Sequence, residues 1–233
     1  MLTSATLLHE IRRYWIALVD LIYPERCIFC FDRLDFTEEL ACRDCSNSLP
    51  LLKDPRCTPR SSRQRYVHSG AAVFAYEGVM KDFFHRVKFD RKQWHLKFLR
   101  RHLQNARLPL PLSEYDALVP VPLDRERSKV RQFNQSALIA KMLAAEHGTG
   151  RVQPLLIKIR NTEPQSLLNR SDRLTNVRDA FQLKKGARIA GKKILLVDDI
   201  VTTGATVNEC ARCLRSAGAK RVDFFSVARA VTT

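Results

Sequence analysis

The chain has 233 residues, enough for one or two domains with a sizeable buried core. Hydrophobic residues make up 45% and charged residues 27%, which excludes a disordered or collagen-like chain. Forty Lys and Arg against 24 Asp and Glu leave a formal charge of +16, which suits a polyanionic partner and says nothing about fold.

Residues 5–23 carry Leu7, Leu8, Ile11, Trp15, Leu18, Val19 and Ile22 at the three-four spacing of an amphipathic helix, and Pro24 ends it. Such a helix packs on its own protein or serves a membrane or partner surface. The apolar run from Tyr14 to Tyr23 is about ten residues long, too short to span a bilayer. No signal peptide precedes it. The expected location is the cytoplasm, where seven cysteines point to metal or free thiols rather than disulfides.

Residues 24–65 read as a small cysteine module. Cys27-Ile-Phe-Cys30 is followed by Cys42-Arg-Asp-Cys45, and two such knuckles can offer four thiolates tetrahedrally to one structural zinc ion. A segment of roughly 40 residues needs that metal to hold a fold. Cys57 is left over, because its knuckle partner would be Arg60. Pro50, Pro55 and Pro59 and the polar run Ser61–Arg65 then mark the boundary to a second domain, residues 66–233.

In that domain, strands are expected at 71–76, 117–121, 155–159, 193–197 and 222–227, and helices at 79–89, 93–106, 133–146 and 205–217. The alternation predicts an α/β domain with a parallel sheet. Residues 81–101 hold eight Lys or Arg and five Phe or Trp. Phe83, Phe84 and Phe98 suit core packing, whereas Arg91, Lys92 and Trp94 suit a single-stranded DNA surface. Cys210 and Cys213 fall two turns into a helix, where they suit packing better than redox chemistry. The run from Gly186 to Lys193 imitates a nucleotide-binding P-loop, but it lacks the final Ser or Thr and precedes a strand.

Ile194-Leu-Leu-Val-Asp198-Asp199-Ile-Val-Thr202-Thr203-Gly204-Ala205-Thr206 is more informative. A buried strand leads to two carboxylates, a turn of Thr and Gly, and a helix start. Such a turn favours phosphate, and the carboxylates can accept hydrogen bonds from vicinal sugar hydroxyls. A 5-phosphorylated ribose fits. The segment resembles the PRPP-binding motif of type I phosphoribosyltransferases (PRPP is 5-phosphoribosyl diphosphate). The resemblance implies that Asp198 and Asp199 hold the ribose hydroxyls at the reaction centre and that Thr202, Thr203, Gly204, Ala205 and Thr206 cradle the 5-phosphate, with Mg2+ bridging ribose and diphosphate. It also implies a diphosphate loop at Val121, Pro122 and Arg131, and a flexible loop over the ligand with Gln165, Arg170 and Arg173.

Tyr23-Pro24 before Cys27, Val119-Pro-Val-Pro-Leu123 with Arg131-Gln-Phe-Asn-Gln135, and Thr162 through Gln165 and Arg173 to Phe181 extend the likeness. Over nearly its whole length the chain resembles the ComF/GntX competence and DNA-utilisation family. Gln132 stands where that family usually has Gly. The resemblance implies a role in DNA uptake, competence or use of DNA as a nutrient, with a PRPP-like ligand and a DNA-uptake or helicase partner, and the basic surface suits single-stranded DNA. A metabolic phosphoribosyltransferase acting on a base or amine, and a PRPP sensor without turnover, are the competing functions.

Overall fold

Strands rich in Val, Ile, Leu, Phe and Ala pair side by side in the computed structural model, which describes Trp15 and residues 24–35, 37–57, 66–89, 93–123, 133–148, 151–160 and 176–231. The chain divides into two units, residues 1–49 and 50–233. The predicted N-terminal helix lies outside the described residues apart from Trp15, which is helical and exposed.

In the first unit, residues 25–34 fold back on themselves. Cys27 N donates to Asp32 O at 2.9 Å and Leu34 N to Glu25 O at 2.9 Å. One short helix follows, α1 (Arg43–Asn47). The Glu38 carboxylate accepts from the backbone N–H groups of Asp35 at 2.9 Å and Arg43 at 2.7 Å, so it ties the segment between the knuckles to the second knuckle.

The second unit is built on a five-stranded sheet. Its strands are β1 (Gly70–Ala75), β2 (Ala117–Pro120), β3 (Arg151–Val152), β6 (Lys193–Val201) and β7 (Arg221–Arg229), in the order β1-β7-β6-β2-β3. All four pairings are parallel. β1, β2 and the first half of β6 are buried runs without alternation, as expected of strands covered on both faces. Among the described residues its α-helices are α2 (Gly78–Phe89), α3 (Lys97–Asn105), α4 (Gln135–His147) and α5 (Ala205–Ser216). α2 buries Met80, Phe83, Phe84 and Val87, and α5 buries Val207, Cys210, Ala211 and Leu214, each set at helical spacing.

Two sequence expectations need correction. The strand expected at 155–159 is β4 (Leu156–Lys158), which leaves the parallel sheet and pairs antiparallel with β5 (Phe181–Leu183). The strand expected to stop at Val197 continues to Val201, so both aspartates lie on β6 rather than in a turn after it. Residues 50–57 run antiparallel along β1: Ala75 N donates to Pro50 O and Ala72 N to Pro55 O, both at 2.8 Å. Proline keeps its carbonyl acceptor, so Pro50 and Pro55 can line a sheet edge without an N–H.

The connections place a crevice. β2 leads through α4 outward to β3, whereas β6 leads through α5 to β7 on the other side. Chain direction therefore diverges between β2 and β6. In open parallel sheets, ligands bind at the carboxyl ends of the strands at such a point.

Candidate functional site

The four cysteines of the first unit converge. The sulfurs of Cys27, Cys30, Cys42 and Cys45 all lie within 4.8 Å of one another, and Cys30 Sγ stands 3.7 Å from Cys42 Sγ. A tetrahedron of sulfurs at about 2.3 Å from zinc has edges of about 3.8 Å. The donor set thus fits structural zinc. Cys27 Sγ also accepts from the backbone N–H of Phe29 and of Cys42, each at 3.4 Å. Burial opposes ionisation of Cys27, but N–H groups of Cys30, Cys42 and Phe29 outweigh it and bring the thiol down to about 7. Cys45 moves the other way, pushed up by burial and then by the sulfurs of Cys42, Cys30 and Cys27. A dication among the four reverses that repulsion and favours thiolates throughout.

Cys210 and Cys213 behave as packing residues. Cys210 is fully buried and its thiol is pushed well up, chiefly by burial; burial also raises Cys213. Cys57 is buried in the core beneath β1 and β6. The Gly186–Lys193 stretch runs into β6 from its amino end, so no helix N-terminus follows it to receive a phosphate.

At the other end of β6 the predicted ligand residues come together. Asp198 and Asp199 are half-buried near the carboxyl end of the strand. The backbone N–H of Asp199 donates to Asp198 Oδ1 at 2.9 Å, and that of Ile200 donates to Asp199 Oδ1 at 2.8 Å. Both carboxylates are thereby turned by their own backbone. Thr202 and Thr203 follow, and Gly204 takes the left-handed conformation at φ 78° as the N-cap of α5. Only glycine adopts that conformation without steric cost. Ala205 N donates to Thr203 Oγ1 at 3.4 Å. The turn therefore delivers the amino end of α5, with its partial positive charge, beside two carboxylates.

The end of β2 forms the facing wall. Pro120 pairs with Val197, and Val121 N donates to Val197 O at 2.9 Å, which sets Val121 and Pro122 beside Asp198. Asn134 caps α4, accepting from Ala137 N at 3.4 Å, and its Nδ2 donates to Val121 O at 2.9 Å. Ser136 Oγ donates to Asp198 Oδ1 at 3.1 Å. Gln135 between them is buried, and its Nε2 has no hydrogen-bond partner among the described residues.

Sequence reasoning quoted Asn134 and Gln135 without a role and missed Ser136. The usable signal was an Asn immediately before a helix, a preferred N-cap. Arg131, Gln165, Arg170, Arg173, Arg91 and Lys92 lie outside the described residues. Trp94 falls in a 3-10 turn, Gln93–Leu96. Phe83, Phe84 and Phe98 are core: the Phe83 ring lies 5.3 Å from Phe84 and 6.2 Å from Phe98.

Two protein families match the chain in separate stretches. The phosphoribosyl transferase domain family matches residues 138–231, and the double zinc ribbon domain family matches residues 18–67. These matches, with the parallel sheet and the cysteine cluster, define an α/β protein with a phosphoribosyl transferase domain and an N-terminal zinc ribbon. Competence protein ComFC of Streptococcus pneumoniae is 34% identical over 204 residues, covering 81% of this chain and 87% of that protein. Competence protein F of Haemophilus influenzae is 26% identical over 88% of this chain and 97% of that protein. DNA utilization protein YhgH of Escherichia coli K12 is 32% identical over 67% and 70%. The chain belongs to this family of competence and DNA-utilisation proteins. Among the described residues, no helix is long and apolar enough to cross a membrane.

Proposed function

We propose that the protein binds PRPP with Mg2+ in the crevice between β2 and β6, and that it acts on single-stranded DNA during DNA uptake or use. The observation that carries the ligand half is the run of Asp198 and Asp199 into the Gly204-capped start of α5, at the point where the sheet connections diverge. Paired carboxylates suit ribose hydroxyls, and the helix start suits the 5-phosphate. Val121 and Pro122 face them as the diphosphate side. Arg131 belongs to that side by sequence, and Gln165, Arg170 and Arg173 to a loop over the ligand. Carboxylate oxygens are also hard ligands suited to Mg2+, which bound PRPP would bring with its diphosphate.

The DNA half rests on the named roles of the relatives and on the charge of +16. Arg91, Lys92 and Trp94 are the sequence candidates for that contact. Thermal denaturation with and without PRPP and Mg2+ tests the ligand half. A ligand at a hundredfold excess over its dissociation constant stabilises the folded state by about 2.7 kcal/mol. The rise in Tm should vanish when Asp198→Asn and Asp199→Asn are combined. A double variant that responds like the unaltered chain overturns the assignment.

A further inference from the structure

The first turn of α4 touches both walls of the crevice. Asn134 and Ser136 are two residues apart, yet one bonds the backbone at the end of β2 and the other bonds the side chain of an aspartate on β6. Serine near a helix start commonly turns its hydroxyl back to the local backbone. Here the Ser136 hydroxyl crosses to a residue 62 positions away. It reaches Asp198 Oδ1, which already accepts from Asp199 N. Two donors on one oxygen fix the plane of the carboxylate and leave it little freedom to rotate. Asn134 acts likewise on the facing wall. Val121 is held through its N–H by Val197 O and through its carbonyl by Asn134 Nδ2, so the peptide groups on both sides of the residue are fixed.

We propose that Ser136 and Asn134 are positioning residues that serve different parts of one ligand. Ser136 aims Asp198 at the ribose hydroxyls. Asn134 sets the backbone after Val121 for the diphosphate. The inference rests on the PRPP reading of the crevice. It adds that α4 couples the two subsites, because both ties leave the same helical turn. A purely structural role for these residues predicts something different, namely an equal loss for every ligand together with lost stability.

The test uses the full chain with zinc bound. Dissociation constants are measured by calorimetry, with Mg2+ present, for PRPP, ribose 5-phosphate and inorganic diphosphate, and the ligand-free Tm is recorded. Ser136→Ala removes only the hydroxyl. It should weaken ribose 5-phosphate and PRPP roughly tenfold, equivalent to about 1.4 kcal/mol, and leave diphosphate within about twofold. Asn134→Ser keeps an N-cap acceptor but is too short to reach Val121 O. It should weaken diphosphate and PRPP and spare ribose 5-phosphate. Unchanged affinities in both variants overturn the inference while the PRPP reading stands, and so does a uniform loss across all three ligands accompanied by a lower Tm. If the unaltered chain binds none of the three ligands, the PRPP reading fails and this inference with it.

Discussion

The phenol of Tyr115, just before β2, donates to Asp223 Oδ2 on β7 at 2.7 Å, and both residues are buried. Arg221 Nε donates to the same oxygen at 2.6 Å, while Ser69 N and Oγ each donate to Oδ1 at 2.8 Å. His68 Nδ1 lies 3.3 Å from that second oxygen. These residues tie the amino ends of β1, β2 and β7, opposite the end that carries Asp198. The network is scaffold, and it separates stability from ligand binding.

Its pH dependence has a definite sign. Burial works against ionisation of Asp223, but Tyr115, Ser69 and Arg221 outweigh it and hold the carboxyl below the usual aspartate range. A depressed folded-state pKa stabilises the fold fully above the unfolded value of about 3.9, and that contribution is lost as pH falls through the lower folded value. Asp223→Asn should therefore cost roughly 2–3 kcal/mol at neutral pH, the scale of hydrogen bonds to a charged group. The gap from the unaltered chain should narrow below about pH 4. Urea denaturation across a pH series measures it, and a gap that stays constant into acid would show that ionisation of Asp223 contributes nothing. Affinity for PRPP should not change.

For the cysteine cluster, elemental analysis of purified protein should give close to one zinc per chain. Cys42→Ser should lose zinc and folding of residues 24–49 together, since structural zinc sites supply folding free energy. Phe31 gives a finer check. It follows the first knuckle at φ 67°, donates its N–H to Cys27 O at 3.0 Å, and is largely exposed. A left-handed conformation costs a non-glycine residue about 1–2 kcal/mol. Phe31→Gly should relieve that strain and slow zinc loss to a chelator. Faster loss would mean that the exposed ring contributes more than the backbone strain removes.

What was legible in the sequence was contiguous. Cys27 to Cys45 carry their chemistry within one short stretch, so spacing sufficed, and Asp198 to Thr206, equally contiguous, fall at the end of β6 and the start of α5. What was hidden depends on distant partners. Nothing near Ser136 shows that its hydroxyl meets Asp198, and nothing near Pro50 or Pro55 shows that their carbonyls accept from β1. β5 has three residues and no periodicity to detect, which also concealed that β4 would turn away to an antiparallel partner. Phe83 and Phe98 were separable from a binding surface because both occupy the apolar side of an amphipathic helix.

Gly204 should be intolerant of substitution for a local reason. Its φ of 78° at the N-cap of α5 is reached cheaply only by glycine. Gly204→Ala should cost about 1–2 kcal/mol in stability if the turn is kept. If the turn instead relaxes, the Thr203 and Ala205 geometry goes with it, and inorganic phosphate should lose affinity at least as strongly as PRPP. Parallel measurement of Tm and phosphate binding separates these cases. An alanine variant with unchanged values for both would remove the turn from the site.

The last prediction concerns DNA and the exposed side of α3. Lys97, Arg100 and Arg101 share that side at helical spacing, while Phe98, Leu99 and Leu103 are buried. Arg100 is committed, because its Nε pairs with Glu146 Oε1 on α4. Lys97 and Arg101 remain the better phosphate contacts, and replacing both with Gln leaves the buried side of the helix intact. Each phosphate contact on a single strand contributes about −0.7 to the slope of log affinity against log salt, so the double variant should flatten the slope by about 1.4. Arg91→Gln with Lys92→Gln should act in the same way. Trp94→Ala should act differently, because stacking a base is worth roughly 1–3 kcal/mol and is not screened by ions. It should lower affinity at every salt concentration and leave the slope alone. Fluorescence anisotropy with a labelled oligonucleotide across a salt series distinguishes the two patterns. A chain that binds no single strand even at low salt would remove direct DNA binding from the proposed function, leaving the proposed PRPP site to be explained by sensing or by transfer to a small acceptor.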